Sequence, residues 1–323
     1  MGNLTYRQAL NQALSEEMQR DPTVFIMGED VAFYGGSFKV TDGLLAEFGD
    51  KRVIDTPIAE GAIVGMAVGA AMVGLRPIVE LMTVNFALLA MDQIVNHAAK
   101  IRYMFGGKVK VPLVIRAPGG GGQQLAAQHS QSLESYFLHC PGLKVVCPAF
   151  PDDAKGLLKE AIRDDDPVMF LEHEALYGSK GEVPEKTYTT PIGKAKVISA
   201  GKDVTIIAYS RMVLLALEAA QDLEKEGIAT EIIDLRSLNP LDLKIITNSV
   251  KKTGKVVVLE EDWKTGGVGG EISSLIVENC FDCLDAPIKR VAGKDVPMPY
   301  AKNLEMMAIP QLNDIKNSVK EIL

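Results

Sequence analysis

The sequence predicts an α/β protein of two domains, each built on a mostly parallel sheet flanked by helices. Short β-branched apolar runs alternate with amphipathic helical stretches almost throughout, the pattern of strands joined by crossover helices. A length of 323 residues favours two domains over one. The alternation is interrupted once, in "GSKGEVPEKTYTTPIGKAKVISAGK", which is rich in Gly, Pro, Thr and Lys and lacks helical periodicity. That interruption sets a boundary near residue 190, giving domains of residues 1–190 and 191–323.

Taken in order, Thr5 and Gln8 have the spacing of a capping box, and Ala9, Ala13, Leu14 and Met18 form the apolar face of a first helix. The runs "TVFIMGED", "KRVIDTP", "RPIVELMT", "VPLVIRAP", "LKVVCPA" and "DPVMFLEH" read as buried strands. Helices are predicted between them over residues 60–74, 86–104 and 151–163. A second series follows, with strands in "DVTIIAYS", "ATEIIDL", "GKVVVLEED" and "PIKRVAG" and helices near 211–226, 240–252, 269–279 and 310–322. No short internal repeat interrupts either series.

Composition excludes several classes of function. With 47% hydrophobic and 24% charged residues the chain can bury a sizeable core. Its net charge of -8, with basic residues scattered, provides no electrostatic footprint for nucleic acid or anionic lipid. The longest apolar stretch, residues 62–75, is 14 residues long and interrupted by glycines, too short to cross a bilayer. The N-terminus lacks the pattern of a secretory signal, and Tyr6 occupies the position where a myristoylation motif needs Ser or Thr. The expected location is the cytoplasm, or a plastid stroma or mitochondrial matrix. Four cysteines suit a reducing compartment; Cys280 and Cys283 have CxxC spacing, but Cys140 and Cys147 supply no second half-site, and packed thiols are the expectation.

Within "IDTPIAEGAIVGMAVGAAMVGL", Glu60 is the only charged side chain between Asp55 and Arg76. A buried carboxylate is costly unless it has a partner, so Glu60 either caps a helix through the dipole or holds something whose chemistry needs it. It stands in a strand-to-helix loop, where α/β proteins usually bind ligands. Gly61, Gly65 and Gly69 leave one helical face nearly bare, suited to a close helix crossing inside the chain or between subunits. Met82 and Phe86 follow a strand end, where they form either ordinary core or an apolar wall for a heterocycle. The glycines of "APGGGGQQLAAQHSQSLES" lack the Lys-Ser/Thr of a P-loop and read as a lid or entrance loop. His129 beyond them has a polar setting suited to proton transfer, or to an ordinary surface histidine. "EEDWKTGGVGGEISSLI" imitates a dinucleotide fingerprint but lacks its acidic partner at the expected distance.

Ordered segments along almost the whole chain resemble one family: "GEDV", "DTPIAE", "GLRPIVELMT", "NFALLAMDQIVNHAAK", "AAQHSQS", "HCPGLKVV", "DAKGLLKEAIRD", "DLRSLNPLD", "LDAP" and "DVPMPYA". The family is the beta subunit of the decarboxylating component of 2-oxo acid dehydrogenase complexes, thiamine diphosphate enzymes with a transketolase-like pyrimidine-binding domain and a transketolase C-terminal domain. "VPMPYA" and "AAQHSQS" look most like the pyruvate dehydrogenase branch, which feeds acetyl-CoA formation after glycolysis; branched-chain and acetoin relatives share much of the rest. A non-catalytic docking subunit is the reading from another class.

The resemblance implies that Glu60 hydrogen-bonds the ring nitrogen N1′ of the cofactor's aminopyrimidine and favours the tautomer that takes the thiazolium proton. It implies that Phe86 stacks on that ring, Met82 lines its pocket, and His129 assists transfer of the acyl group to a lipoyl arm. It also implies a structural potassium ion held by Leu113, Ala161, Ile162, Asp164 and Asp166, and docking of the acyltransferase core around Asp285. The GDG motif and later Asn that hold the magnesium diphosphate are missing, the nearest string being "FGDKR". The expectation is therefore half an active site, with a separate alpha subunit holding magnesium in an α2β2 heterotetramer.

Overall fold

A computed structural model describes residues 2–323, which divide into two compact units. The first holds the chain up to Gly119 and Tyr136–Ile192; the second holds Gly120–Ser135 and Gly193–Leu323. From the N-terminus the elements are β1 (Gly2–Thr5), α1 (Tyr6–Arg20), β2 (Val24–Gly28), α2 (Leu44–Phe48), β3 (Val53–Asp55), α3 (Glu60–Met72) and β4 (Arg76–Glu80). They continue with α4 (Ala99–Met104), β5 (Val114–Gly119), α5 (Glu134–Leu138), β6 (Lys144–Val146), α6 (Pro151–Arg163), β7 (Val168–His173) and β8 (Lys180–Val183).

The sheet of the first unit is parallel in the order β6-β7-β5-β4-β2-β3. All six residues of β5 and of β7 are buried, and apart from Arg116 on β5 and Glu172 and His173 at the end of β7 both are apolar. The predicted capping box forms, with the Thr5 side chain accepting from the Gln8 N–H and Gln8 accepting from the Thr5 N–H. Packing of α1 on α6 brings acids against bases: the Lys155 ammonium donates to Glu16 at 2.6 Å and Arg163 donates to Glu17 at 2.6 Å. Strands β1 and β8 pair antiparallel; neither is predicted by the sequence, because both are short and lack a β-branched run.

The helix expected over 86–104 is broken up. Residues Val84–Ala90 form a 3₁₀ helix and Asp92–Ala98 a π-type turn, and only Ala99–Met104 is α-helical. A π-type segment is a common mark of a functional site. Its neighbour α3 uses its glycines to approach it: a Cβ on Gly61 would lie 3.4 Å from the Leu89 carbonyl oxygen, and one on Gly65 would lie 3.3 Å from the Gln93 side chain. The bare face is thus filled from within the chain at those two positions, whereas Gly69 has nothing within 4 Å.

Across the sheet, Arg116 on β5 is buried with no exposure and donates through Nε and Nη2 to both oxygens of Glu172, at 2.6 and 2.8 Å, and through Nη1 to Glu80. The Tyr177 hydroxyl donates to Glu172 at 2.6 Å. Burial pushes the Glu80 carboxyl up from its ordinary range, against the pull of Arg116.

The second unit continues with β9 (Lys196–Ser199), β10 (Val204–Ala208), α7 (Arg211–Lys225), β11 (Thr230–Asp234), β12 (Ser237–Asn239), α8 (Leu243–Thr253), β13 (Val256–Trp263), α9 (Val268–Cys280), β14 (Lys289–Gly293), α10 (Lys302–Ala308) and α11 (Leu312–Lys320). Its five-stranded sheet has the order β14-β13-β10-β11-β9, parallel except for β9. All four cysteines are free. Among the described residues no helix is long and apolar enough to cross a membrane. Removing the central cation of the first unit leaves two buried carboxylates without their partner, so Arg116→Met is expected to cost about 3–5 kcal/mol of stability. Urea unfolding of the variant checks this, and a loss below about 1 kcal/mol overturns it.

Candidate active site

Strand order creates the site of the first unit. The chain leaves β2 for β3 on one side, then crosses to β4 on the other, so the loops at the carboxyl ends of these three neighbours diverge. Such a switch of direction is where open α/β sheets form a ligand crevice. Glu29 follows β2, Glu60 begins α3 after β3, and Met82 follows β4.

Local sequence holds this rim in place. Gly28 is needed because a Cβ there would lie 2.4 Å from the Glu80 carbonyl oxygen. The Asp55 carboxylate, at the end of β3, accepts the N–H groups of Ala32 and Phe33 at 2.7 and 3.1 Å and pins the loop after β2. The Thr41 hydroxyl donates to the Val31 carbonyl at 2.7 Å, folding the same loop back.

Glu60 is the first residue of α3 and 4% exposed, so it meets the positive end of a 13-residue helix. Its unforeseen neighbour is Glu29, 6% exposed, with Oε1 buried and lacking a hydrogen-bond partner. Burial raises the Glu29 carboxyl above its ordinary range, and the charges of Glu60 and Asp30 raise it further. A second buried acid thus accompanies Glu60 at the carboxyl end of this sheet. Met82 and Phe86 are half-buried on the same rim, flanked by buried Thr83 and Asn85. The first unit therefore brings Glu60, Met82 and Phe86 to one end of one sheet.

Glu174, directly after β7, is a further acid on these carboxyl ends that the sequence did not reveal. It is 7% exposed, both carboxylate oxygens are buried without a partner, and desolvation pushes it up to about 8. Glu29 lay within the quoted "GEDV", but only strand pairing shows that it meets Glu60.

His129 belongs to the second unit, on the segment Gly120–Ser135. It is half-buried, and the hydroxyl of the adjacent Ser130 is buried without a partner. The four-glycine loop before it, read as a lid or entrance loop, is anchored at two points: Gly121 N–H donates to Glu261 at 2.5 Å and Gly122 N–H to Glu305 at 2.9 Å. A cleft of about 530 Å³ beside it is lined by Ala127, Gln131, Trp263, Thr265, Asp295, Val296 and Pro297. Beneath "GGVGGE", the Gly269 N–H donates to the Glu260 carboxylate at 2.7 Å, so the apparent nucleotide turn is occupied by a side chain of its own domain.

The residues implied for potassium cluster at the end of α6 and the start of β5. The carbonyls of Ile162 and Asp164 each accept from the Arg76 guanidinium at 2.9 Å, the Leu113 carbonyl accepts from Val168 N–H at 2.9 Å, and that of Ala161 accepts from Asp164 N–H at 3.2 Å. The Asp164 carboxylate takes Lys144 at 2.6 Å, and Asp166 takes Arg102. Asp285 is exposed, and its N–H donates at 2.7 Å to the carbonyl of Gly254, the left-handed residue that ends α8. Among the described residues no group of three or more His, Cys, Asp and Glu side chains is placed to hold a metal ion.

Comparison with known proteins places the chain among relatives over nearly its whole length. Residues 2–180 match the transketolase pyrimidine binding domain family and residues 193–315 the transketolase C-terminal domain family. The chain is similar to the pyruvate dehydrogenase E1 component subunit beta of Rickettsia bellii, 54% identical over 99% of this chain and 98% of that one. It is 53% identical to a mitochondrial beta-2 subunit of the same name from Oryza sativa, over 98% of this chain and 85% of that one. A solved structure described as a split gene transketolase, inactive beta4 tetramer, superposes with a TM-score of 0.82 at 28% identity, covering 100% and 99% of the two chains.

The raised acid directly after β7, Glu174, supplies a test of the rim's electrostatics. A carboxyl whose folded value lies above its unfolded one contributes stability at low pH that is lost as pH rises towards the folded value. Glu174→Gln is therefore expected to raise the unfolding midpoint by an amount that grows from pH 5 to about pH 8 and then levels off. A gain equal at every pH in thermal unfolding overturns the assignment of a buried, unpartnered acid.

Proposed function

The chain belongs to the family of pyruvate dehydrogenase E1 component beta subunits, and from that premise we propose that it supplies the pyrimidine-binding half of an active site for oxidative decarboxylation of pyruvate. The observation that carries the reading is the Glu29–Glu60 pair at the divergence of β2, β3 and β4, with Met82 and Phe86 on the same rim. A buried carboxyl oxygen without a partner and half-buried apolar side chains beside it suit a flat nitrogen heterocycle such as the aminopyrimidine of thiamine diphosphate.

When bound, thiamine diphosphate supplies the nucleophilic carbon and the electron sink for loss of carbon dioxide. Glu60 hydrogen-bonds the ring nitrogen, at the positive end of α3. Glu29 lies beside it, its carboxyl raised above the ordinary range by burial and then by the charges of Glu60 and Asp30. Phe86 stacks on the ring, and Met82 closes the pocket against water. His129 serves the later transfer of the acetyl group to a lipoyl arm of the acyltransferase core, which docks around Asp285. The diphosphate and its magnesium belong to an alpha subunit in an α2β2 assembly, with the open face at Gly69 as a candidate contact. The relatives from Rickettsia and from rice mitochondria fit a chain working in the cytoplasm or an organelle matrix.

Carbon dioxide release from pyruvate, with thiamine diphosphate and magnesium, is expected only when the chain is mixed with its alpha subunit. Glu60→Gln is expected to lower that rate at least about a hundredfold with the assembly intact. Activity of the chain alone, or an unimpaired Glu60→Gln enzyme, overturns the reading; a stable but inactive complex with pyruvate shifts it to another 2-oxo acid or a docking role.

Potassium forms a second part of the proposal. Carbonyl oxygens have two lone pairs, so those of Leu113, Ala161, Ile162 and Asp164 have one left after their hydrogen bonds, with Asp164 and Asp166 adding charge. The unfolding midpoint is expected to be higher in potassium chloride than in lithium chloride at equal ionic strength, and equal midpoints remove the ion.

A further inference from the structure

We propose that Glu305, supported by Glu261 and Asp262, is a positioning residue that fixes the His129 segment for acyl transfer; the inference rests on the role of His129 stated above. The segment Gly120–Ser135 begins with a loop of fourteen residues between β5 and α5, long for a connection in a compact domain unless it has a function. Alternate residues along its first half are left-handed: Gly120 (φ +90°), Gly122 (+96°), Gln124 (+59°) and Ala126 (+64°). Left-handed residues at such spacing turn successive N–H groups towards one point and make a concavity that binds anions. Here the anion is Glu305, whose carboxylate accepts from Gly122 N–H at 2.9 Å and from Gln124 N–H at 3.1 Å.

The clamp has further points. Glu261 accepts from Gly121 N–H, and Arg211 donates to the Gly121 carbonyl at 3.1 Å and to Glu261 at 3.3 Å. At the far end the Ser135 hydroxyl donates to Asp262 at 2.9 Å. Gln124 and Ala126 are held in a conformation that costs a non-glycine residue about 1 kcal/mol or more, which persists only where the surroundings impose it. A turn closed by His129 N–H on the Ala126 carbonyl, at 3.4 Å, sets His129 directly on this backbone.

Helix α10 is built for the contact and not for ordinary packing. It buries Glu305, 1% exposed, together with Ala308, while Leu304, Met306 and Met307 are 48%, 46% and 61% exposed. A helix that only covered a core would face the other way.

The test uses the reconstituted enzyme with Glu305→Gln, which keeps the shape and replaces an acceptor oxygen by an N–H donor. Three readouts are taken: deuterium exchange of residues 120–128, decarboxylation with ferricyanide as oxidant, and acetylation of an isolated lipoyl domain. The expected result is faster exchange, decarboxylation within about twofold of the native rate, and acetylation slowed on the order of tenfold to a hundredfold. Unchanged exchange overturns the clamp. Faster exchange with acetylation unchanged overturns positioning, and both reactions falling together show a merely structural residue. His129→Ala with native acetylation would overturn the His129 role and with it the positioning claim, while exchange in Glu305→Gln still decides the clamp by itself.

Discussion

Arg116 is the cation on which the rim of the first unit depends. It sits with no exposure between Glu80 and Glu172, and so joins β5 to the strand on each side of it. A lone charge at that depth would be intolerable; three charges and the Tyr177 hydroxyl satisfy one another. Because Glu80 is the last residue of β4, its ion pair decides where that strand stops and the apolar rim begins. The backbone of Glu80 in turn lies so close to β2 that only glycine fits at position 28, next to Glu29. One guanidinium thereby sets the relative height of two of the strands from which the site emerges.

The rim places two buried acids in unlike surroundings. Glu60 stands at a helix N-terminus, where the backbone favours negative charge. Glu29 has no such support: burial first, then the charges of Glu60 and Asp30, raise its carboxyl above the ordinary range. The second unit uses the opposite device: Glu260, Glu261 and Glu305 are matched with backbone N–H groups or guanidinium groups and become part of the scaffold. Those three carboxylates are matched by donors and build structure, whereas on the rim of the first unit Glu29 and Glu174 keep buried oxygens without a partner.

Much of the fold was legible because parallel strands buried on both faces begin as apolar, β-branched stretches, as β5, β7, β10 and β13 do before any polar carboxyl end or single buried charge. What failed had physical reasons. The apolar spacing of 86–104 fits a helix of 3.6 residues per turn, but packing against the glycines of α3 tightens one part and widens the next. Glu60 was legible as a single charge in a long apolar run. Glu29 was not, because its significance lies in the adjacency of β2 and β3. Glu305 was least legible of all: it is an ordinary acid in a short helix whose leucine and methionines claim the buried face by composition, and the structure assigns that face to the acid.

The membership of Gly120–Ser135 in the second unit has a consequence for synthesis. The segment emerges between two pieces of the first unit, but the carboxylate that seats it is 181 to 183 residues away along the chain. At about 5–20 residues per second a ribosome needs on the order of ten to thirty seconds to span that interval. During that time the sheet of the first unit can assemble around a strand that ends in an unseated loop. The histidine is therefore among the last parts of the molecule to take its place: a nascent chain that ends between Ile192 and α10 already carries the segment but not the carboxylate that seats it.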